Sequence, residues 1–132
     1  MIDTSVMVAA LLTQHEHHAL ARPRLPTDGP IPGIVLAETF AQLRFTFSVS
    51  AEAAMAALGH WANTPKRIAV LPASAYAEVF KRAIELNLGG NIHDALIAKT
   101  CAHHKIPLAT LDRRQHAIAL AFGVDTTYLL SA

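Results

Sequence analysis

Four of the chain's ten acidic residues stand inside or directly after its most apolar stretches, and any fold it adopts has to accommodate them. Asp3 follows Met1-Ile2 and precedes Thr4-Ser5. Glu38 sits within Ile34-Val35-Leu36-Ala37-Glu38-Thr39-Phe40, Asp94 within Ile92-His93-Asp94-Ala95-Leu96-Ile97-Ala98, and Asp112 ends Leu108-Ala109-Thr110-Leu111. A buried carboxylate without a partner costs several kcal/mol or takes up a proton, so such groups normally meet cations or hydrogen-bond donors. If the fold gathers these four, the matching cation is a hard divalent metal held through oxygen. That arrangement points to phosphodiester chemistry.

At 132 residues the chain is read as one domain, residues 1–132, long enough to bury a real core. Hydrophobic residues make up 52% and charged residues 16%, so part of the surface is expected to pack against a partner or a second copy. No apolar run approaches the roughly 18 residues of a membrane span, and no charged-then-apolar leader opens the chain. The single cysteine, Cys101, excludes an intramolecular disulfide and a CxxC metal site, and reads as a small core residue on a helix. These features suit a cytoplasmic protein. The net charge of +1 is neutral on nucleic-acid binding, because an acidic site can carry a basic rim. Arg113 and Arg114 follow Asp112 directly, and Arg44 lies shortly after Glu38. They read either as solvated helix-end cations or as a phosphate-contacting rim.

Along the chain, Met1-Ile2 reads as a strand stub running into Asp3. A helix from Val6 to about Gln14 follows, capped by Thr4 or Ser5. The proline-rich stretch from His15 to Pro32 reads as a broken helix and loop, and Gly29-Pro30-Ile31-Pro32-Gly33 as a short edge segment. Helices are expected over about 34–45, with a Leu36, Phe40, Leu43 stripe, and over 51–62, capped by Ser50 with Glu52 in the first turn. A buried strand over 67–71 is stopped by Pro72. Further helices span about 74–86, ending at a glycine stop in Leu88-Gly89-Gly90, and about 91–104, carrying Asp94 in its first turn. A strand over 106–111 delivers Asp112, and a short helix (113–122) and a last strand (124–128) complete the chain. Short apolar strands alternating with helices indicate α/β architecture with a central parallel sheet covered on both faces.

In such a sheet, ligands sit beyond the carboxyl ends of the strands. Asp3 and Asp112 both follow strands, while Glu38 and Asp94 occupy early helical turns, where the helix dipole favours negative charge. Each successive pair of acids is separated by enough chain for a strand-and-helix excursion, so all four can converge on one edge. Taken singly, Asp3 and Asp94 also read as helix caps or first-turn acids, Asp112 as a turn residue and Glu38 as a partly exposed helix acid.

The same pieces, Asp3-Thr4-Ser5, Leu36-Ala37-Glu38, Gly90-Asn91-Ile92-His93-Asp94-Ala95-Leu96-Ile97-Ala98 and Leu108-Ala109-Thr110-Leu111-Asp112, carry a resemblance over nearly the whole chain. The sequence resembles PIN-domain ribonucleases, most closely the VapC-type toxins of VapBC toxin–antitoxin pairs. That resemblance implies a three-layer α/β/α sandwich and metal-dependent endoribonuclease activity on structured RNA. It also implies a homodimer and inhibition by a cognate antitoxin protein. By the same resemblance, Asp3, Glu38, Asp94 and Asp112 hold Mg²⁺ or Mn²⁺, while Thr4 or Ser5, with Thr110, orient carboxylates or water. Only Met1 and Ile2 precede Asp3, fewer residues than the family usually has, so either the first strand is short at its beginning or the start codon is assigned late. A housekeeping RNA-processing nuclease without an antitoxin is one alternative, and a catalytically silent binding module of the same fold another.

Rival constellations are weaker. His15-Glu16-His17-His18 lacks a third ligand at a zinc spacing and reads as exposed polar residues before the proline-rich loop. His93 reads as a helix-start residue or a substrate contact. Asp3 lacks the second acid, two residues on, that an aspartyl-phosphate phosphatase needs, and no phosphate-loop lysine follows Gly89-Gly90. Most aromatics read as core, with Trp61 and Tyr76 the exceptions expected at a partner surface.

Overall fold

Ile2 forms a parallel bridge to Ala109, with the Ala109 N–H on Met1 O at 2.9 Å and the Asp3 N–H on Ala109 O at 3.4 Å. This is the expected strand stub, and the computed structural model, which describes residues 1–131, sets it beside β3 (Leu108–Thr110). On its other side β3 pairs in parallel with β4 (Thr126–Tyr128). A second parallel pair joins β1 (Ile31–Pro32) to β2 (Ile68–Ala69). Between them run α1 (Thr4–Leu11), α2 (His18–Ala21), α3 (Gly33–Phe45), α4 (Ala51–Ala62), α5 (Ala75–Glu85), α6 (Ile92–His104) and α7 (Arg113–Ala121). The fold is therefore α/β, with short parallel strands among helices. Among the described residues the strands form two pairs plus the Ile2 bridge, where one continuous central sheet was expected.

The strands are shorter than the apolar pattern suggests, for local reasons. Pro32 in β1 has no N–H for a ladder. Its partner β2 shrinks from the expected 67–71 to two residues, preceded by a 3₁₀ turn at Pro65–Arg67 and followed by Val70, which is 65% exposed. Helix ends are also set by single residues. Asp3, and neither Thr4 nor Ser5, is the N-cap of α1, because its carboxylate accepts the Val6 N–H at 3.1 Å. Ser50 caps α4 as anticipated, accepting the Ala53 N–H at 3.1 Å. At the end of α5 the left-handed position falls on Asn87 (φ 54°), ahead of the expected glycine stop, with the Leu88 N–H closing onto Ala83 O at 3.0 Å.

Ile2, Val6 and Met7 from the first segment meet Val35 and Leu36 of α3, Ile97 and Cys101 of α6, Leu108 of β3 and Ile118 of α7 in one core. Burial pushes the Cys101 thiol up to about 11, in keeping with a packing role. The aromatics behave differently from the pattern reading. Trp61 is buried, its indole N–H donating to Pro26 O at 2.9 Å. Tyr76 is exposed as expected, but so are Phe40, Phe45, Phe47 and Phe80. The inward face of α3 is set by Val35, Leu36, Thr39 and Leu43, which carries Phe40 onto its rim.

Ile2, 2% exposed, is the side chain that seats the first strand. Ile2→Ala is expected to lower unfolding free energy by about 2–5 kcal/mol with an unchanged denaturant slope. A loss below about 1 kcal/mol in urea titration would show that the stub does not organise the core.

Candidate active site

Asp3 follows the bridged Ile2 at the carboxyl end of a sheet edge and stands at the N-terminus of α1, only 3% exposed. Three hydrogen-bond donors meet its carboxylate. The Ser5 hydroxyl donates to Oδ1 at 2.6 Å, the Val6 N–H to Oδ1 at 3.1 Å and the Thr110 hydroxyl to Oδ2 at 2.5 Å. Ser5 Oγ in turn accepts the Leu111 N–H at 3.1 Å, and Thr110 Oγ1 accepts the Asp112 N–H at 2.9 Å. These bonds stitch α1 to the turn leaving β3. Even so, desolvation dominates and raises the Asp3 pKa from 3.8 to about 6, with the Asp112 charge adding to the rise.

Asp112 caps α7, its Oδ1 accepting the Arg114 N–H at 2.9 Å. Glu38, on α3, accepts the Thr4 hydroxyl on Oε1 at 2.7 Å, while its Oε2 lies 3.8 Å from His93 Nδ1. Asp94, in the first turn of α6, has Oδ2 3.7 Å from Arg114 Nε. Burial raises the Asp94 pKa most, and the charges of Asp112 and Glu38 raise it further, against opposing pulls from Arg114 and His93. Asp3, Glu38, Asp94 and Asp112 all line one cavity of about 370 Å³, together with Thr4, Ser5 and Arg114. Thr110 is buried beneath it, holding Asp3 and the Asp112 amide.

The other basic residues singled out from the sequence lie elsewhere. Arg44 donates to Val49 O at 3.0 Å and packs over the Phe45 ring, and Arg113 packs over the Tyr128 ring. Neither lines the cavity. Conversely, His15, His17, Gln42 and Phe47 do line it, though the sequence marked none of them as site residues. The turn after α1 brings the two histidines back over Asp3, which no spacing rule registers. Gln115 was also passed over; buried in α7, its Nε2 donates to Asp94 O at 3.1 Å and fixes the start of α6 against α7.

The family model of the PIN domain matches residues 1–120. The chain belongs to the PIN domain family. No curated protein matches it at a significant level. PIN domains are typically metal-dependent nucleases, and the donor set can be tested against that chemistry. Among the described residues, no three of His, Cys, Asp or Glu are grouped so as to hold a metal ion as they stand. The carboxylates share a cavity without forming a closed shell. That suits Mg²⁺, which typically keeps several waters and takes only one or two carboxylates directly. The all-oxygen donors, and the repulsion that Asp112 and Glu38 exert on Asp94, fit a hard cation, for which the four carboxylates are the candidate ligands. Among the described residues no helix is long and apolar enough to cross a membrane.

The raised acids make this PIN domain's stability pH-dependent in a definite direction. Between about pH 4 and 6 the native state holds a proton on Asp3 that the unfolded chain has released, so stability falls as pH rises through that window. A shift from 3.8 to about 6 corresponds to about 3 kcal/mol for this buried group. In chelator, urea unfolding of the wild type is expected to show that decline, and Asp3→Asn a shallower one. Equal pH slopes for the two proteins would show that Asp3 is not the strained group.

Proposed function

We propose that this PIN domain is a metal-dependent endoribonuclease that hydrolyses RNA phosphodiester bonds, and that it is the toxin of a toxin–antitoxin pair. The observation that carries the nuclease reading is the shared cavity: all four acids line it, and Asp94 feels the charges of both Asp112 and Glu38. Asp3, Asp94 and Asp112 are assigned to hold Mg²⁺ or Mn²⁺, with Glu38 on a second ion or its water. Asp3, whose Oδ1 accepts from Ser5 and Val6 and whose Oδ2 accepts from Thr110 alone, also sets the position of the Asp112 turn through Thr110. When bound, such an ion lowers the pKa of a water and stabilises charge on phosphoryl oxygens. Glu38, fixed by the Thr4 hydroxyl, is placed to orient the attacking water and accept its proton. Arg114, in the cavity wall, is the phosphate contact, with Arg113 next to it on α7 extending the basic track. Arg44 contributes through the turn it braces.

The toxin reading adds a homodimer and an antitoxin that covers the cleft, on a three-layer α/β/α domain. Its support is the exposed apolar surface: Phe45 and Ile84 are each 81% exposed, and Met55 and Val70 about two-thirds exposed, on a chain with little charge.

Purified protein is expected to cut structured RNA in Mg²⁺ or Mn²⁺ and to stop in chelator. Asp94→Asn, folded by circular dichroism, should lose more than the roughly 10–100-fold typical of removing an outer-shell partner. Cleavage that is equal with and without metal, or equal in wild type and variant, would overturn the assignment.

A further inference from the structure

A second cavity adjoins the acid-lined one and shares part of its lining. His15 and Phe47 line both, and the second is completed by Leu12, Thr13 and Gln14. Phe47 is the aromatic carbocycle among the first cavity's lining residues and is 43% exposed, so part of its surface is accessible. The turn that presents it is fixed tightly. Thr46 and Phe47 N–H both close onto Gln42 O, the Val49 N–H reaches Leu43 O at 2.8 Å, and Arg44 clamps Val49 O. Ser48, directly after Phe47, is held in the left-handed region at φ 55°, a conformation an L-residue adopts only when its surroundings impose it.

The lining of the same cavity holds groups able to read a base edge. Gln42 offers both a donor and an acceptor. His15 Nδ1 accepts the His17 N–H at 3.1 Å, so in the neutral ring the proton sits on Nε2, leaving a second donor. Electrostatics favour a nucleobase here over a phosphate. Four carboxylates face one guanidinium in the acid cavity, so its wall repels the RNA backbone until a cation neutralises it. Stacking on an aromatic ring needs no such charge and is open to every base.

We infer that Phe47, flanked by Gln42 and His15, forms a subsite that stacks one unpaired nucleobase beside the carboxylates. The inference rests on the nuclease reading and adds to it that the RNA is engaged at a nucleotide free of base pairing. Phe47 and Gln42 then act in substrate binding, and Arg44 is a positioning residue that holds the turn.

The test uses a short oligoribonucleotide carrying one 2-aminopurine, moved along the strand, bound to full-length Asp94→Asn protein in Mg²⁺. The expected result is quenching at one position of the single strand and little in the matching duplex. Phe47→Ala should abolish that quenching and weaken binding roughly 5- to 100-fold, while Phe47→Trp retains both. In the otherwise wild-type protein, Phe47→Ala should raise KM far more than it lowers kcat, and by the same factor at low and high salt. Metal-dependent cleavage with unchanged KM and quenching in Phe47→Ala would overturn the subsite and leave the nuclease standing. So would a Phe47→Ala protein that loses only self-association, which would make Phe47 a protein contact. If the wild type neither binds nor cuts any RNA, the nuclease reading falls and this subsite with it.

Discussion

The structure depends on the burial of one carboxylate. Asp3 caps α1, ends the first strand and accepts hydrogen bonds from Ser5, Val6 and Thr110, so a single side chain ties the beginning of the chain to the turn leaving β3. Ser5 and Thr110 then pass that constraint on to Leu111 and Asp112 through their oxygens. Removing the donors would leave a buried charge unsatisfied, and removing the charge would free two hydroxyls and a helix start. The site and the fold are therefore built from the same bonds. The pKa of about 6 records what is left unbalanced after those three donors have acted.

That imbalance continues across the cavity. Asp94 carries repulsion from Asp112 and Glu38, met on the protein's side only by Arg114 and the exposed His93. A region that holds more negative charge than its own cations neutralise is prepared for an external one. Four carboxylates on one cavity are the kind of oxygen donors that a hard, hydrated ion takes. On the proposed reading, the neighbouring Phe47 wall supplies what the acids cannot, an attraction for RNA that does not depend on charge.

The acids were legible in the sequence because each violates its apolar surroundings, and the violation is visible residue by residue. Helix positions were legible too: α4 runs from Ala51 to Ala62 as the Ser50 cap and Glu52 indicate. Strand lengths were not, because Ile31–Pro32 and Ile68–Ala69 are limited by proline and by exposure of Val70, which depend on tertiary position. Aromatic burial was misjudged for the same reason. Trp61 is enclosed because Pro26, far away in the chain, supplies its acceptor, whereas Phe45 and Phe47 lie where α3 runs out of core. His15 and His17 reach the cavity only because α1 stops at Leu11, short of the expected Gln14, and the chain turns back.

Direct Mn²⁺ binding, followed by electron paramagnetic resonance of the free ion, bears most closely on whether the four acids act as one cation site. The wild type should bind Mn²⁺, Asp94→Asn and Asp112→Asn should each weaken binding, and the double variant should lose less than the sum of the two, as expected for groups that share a ligand. Unaltered Mn²⁺ affinity in both single variants, with the proteins folded, would contradict it and make the carboxylates structural.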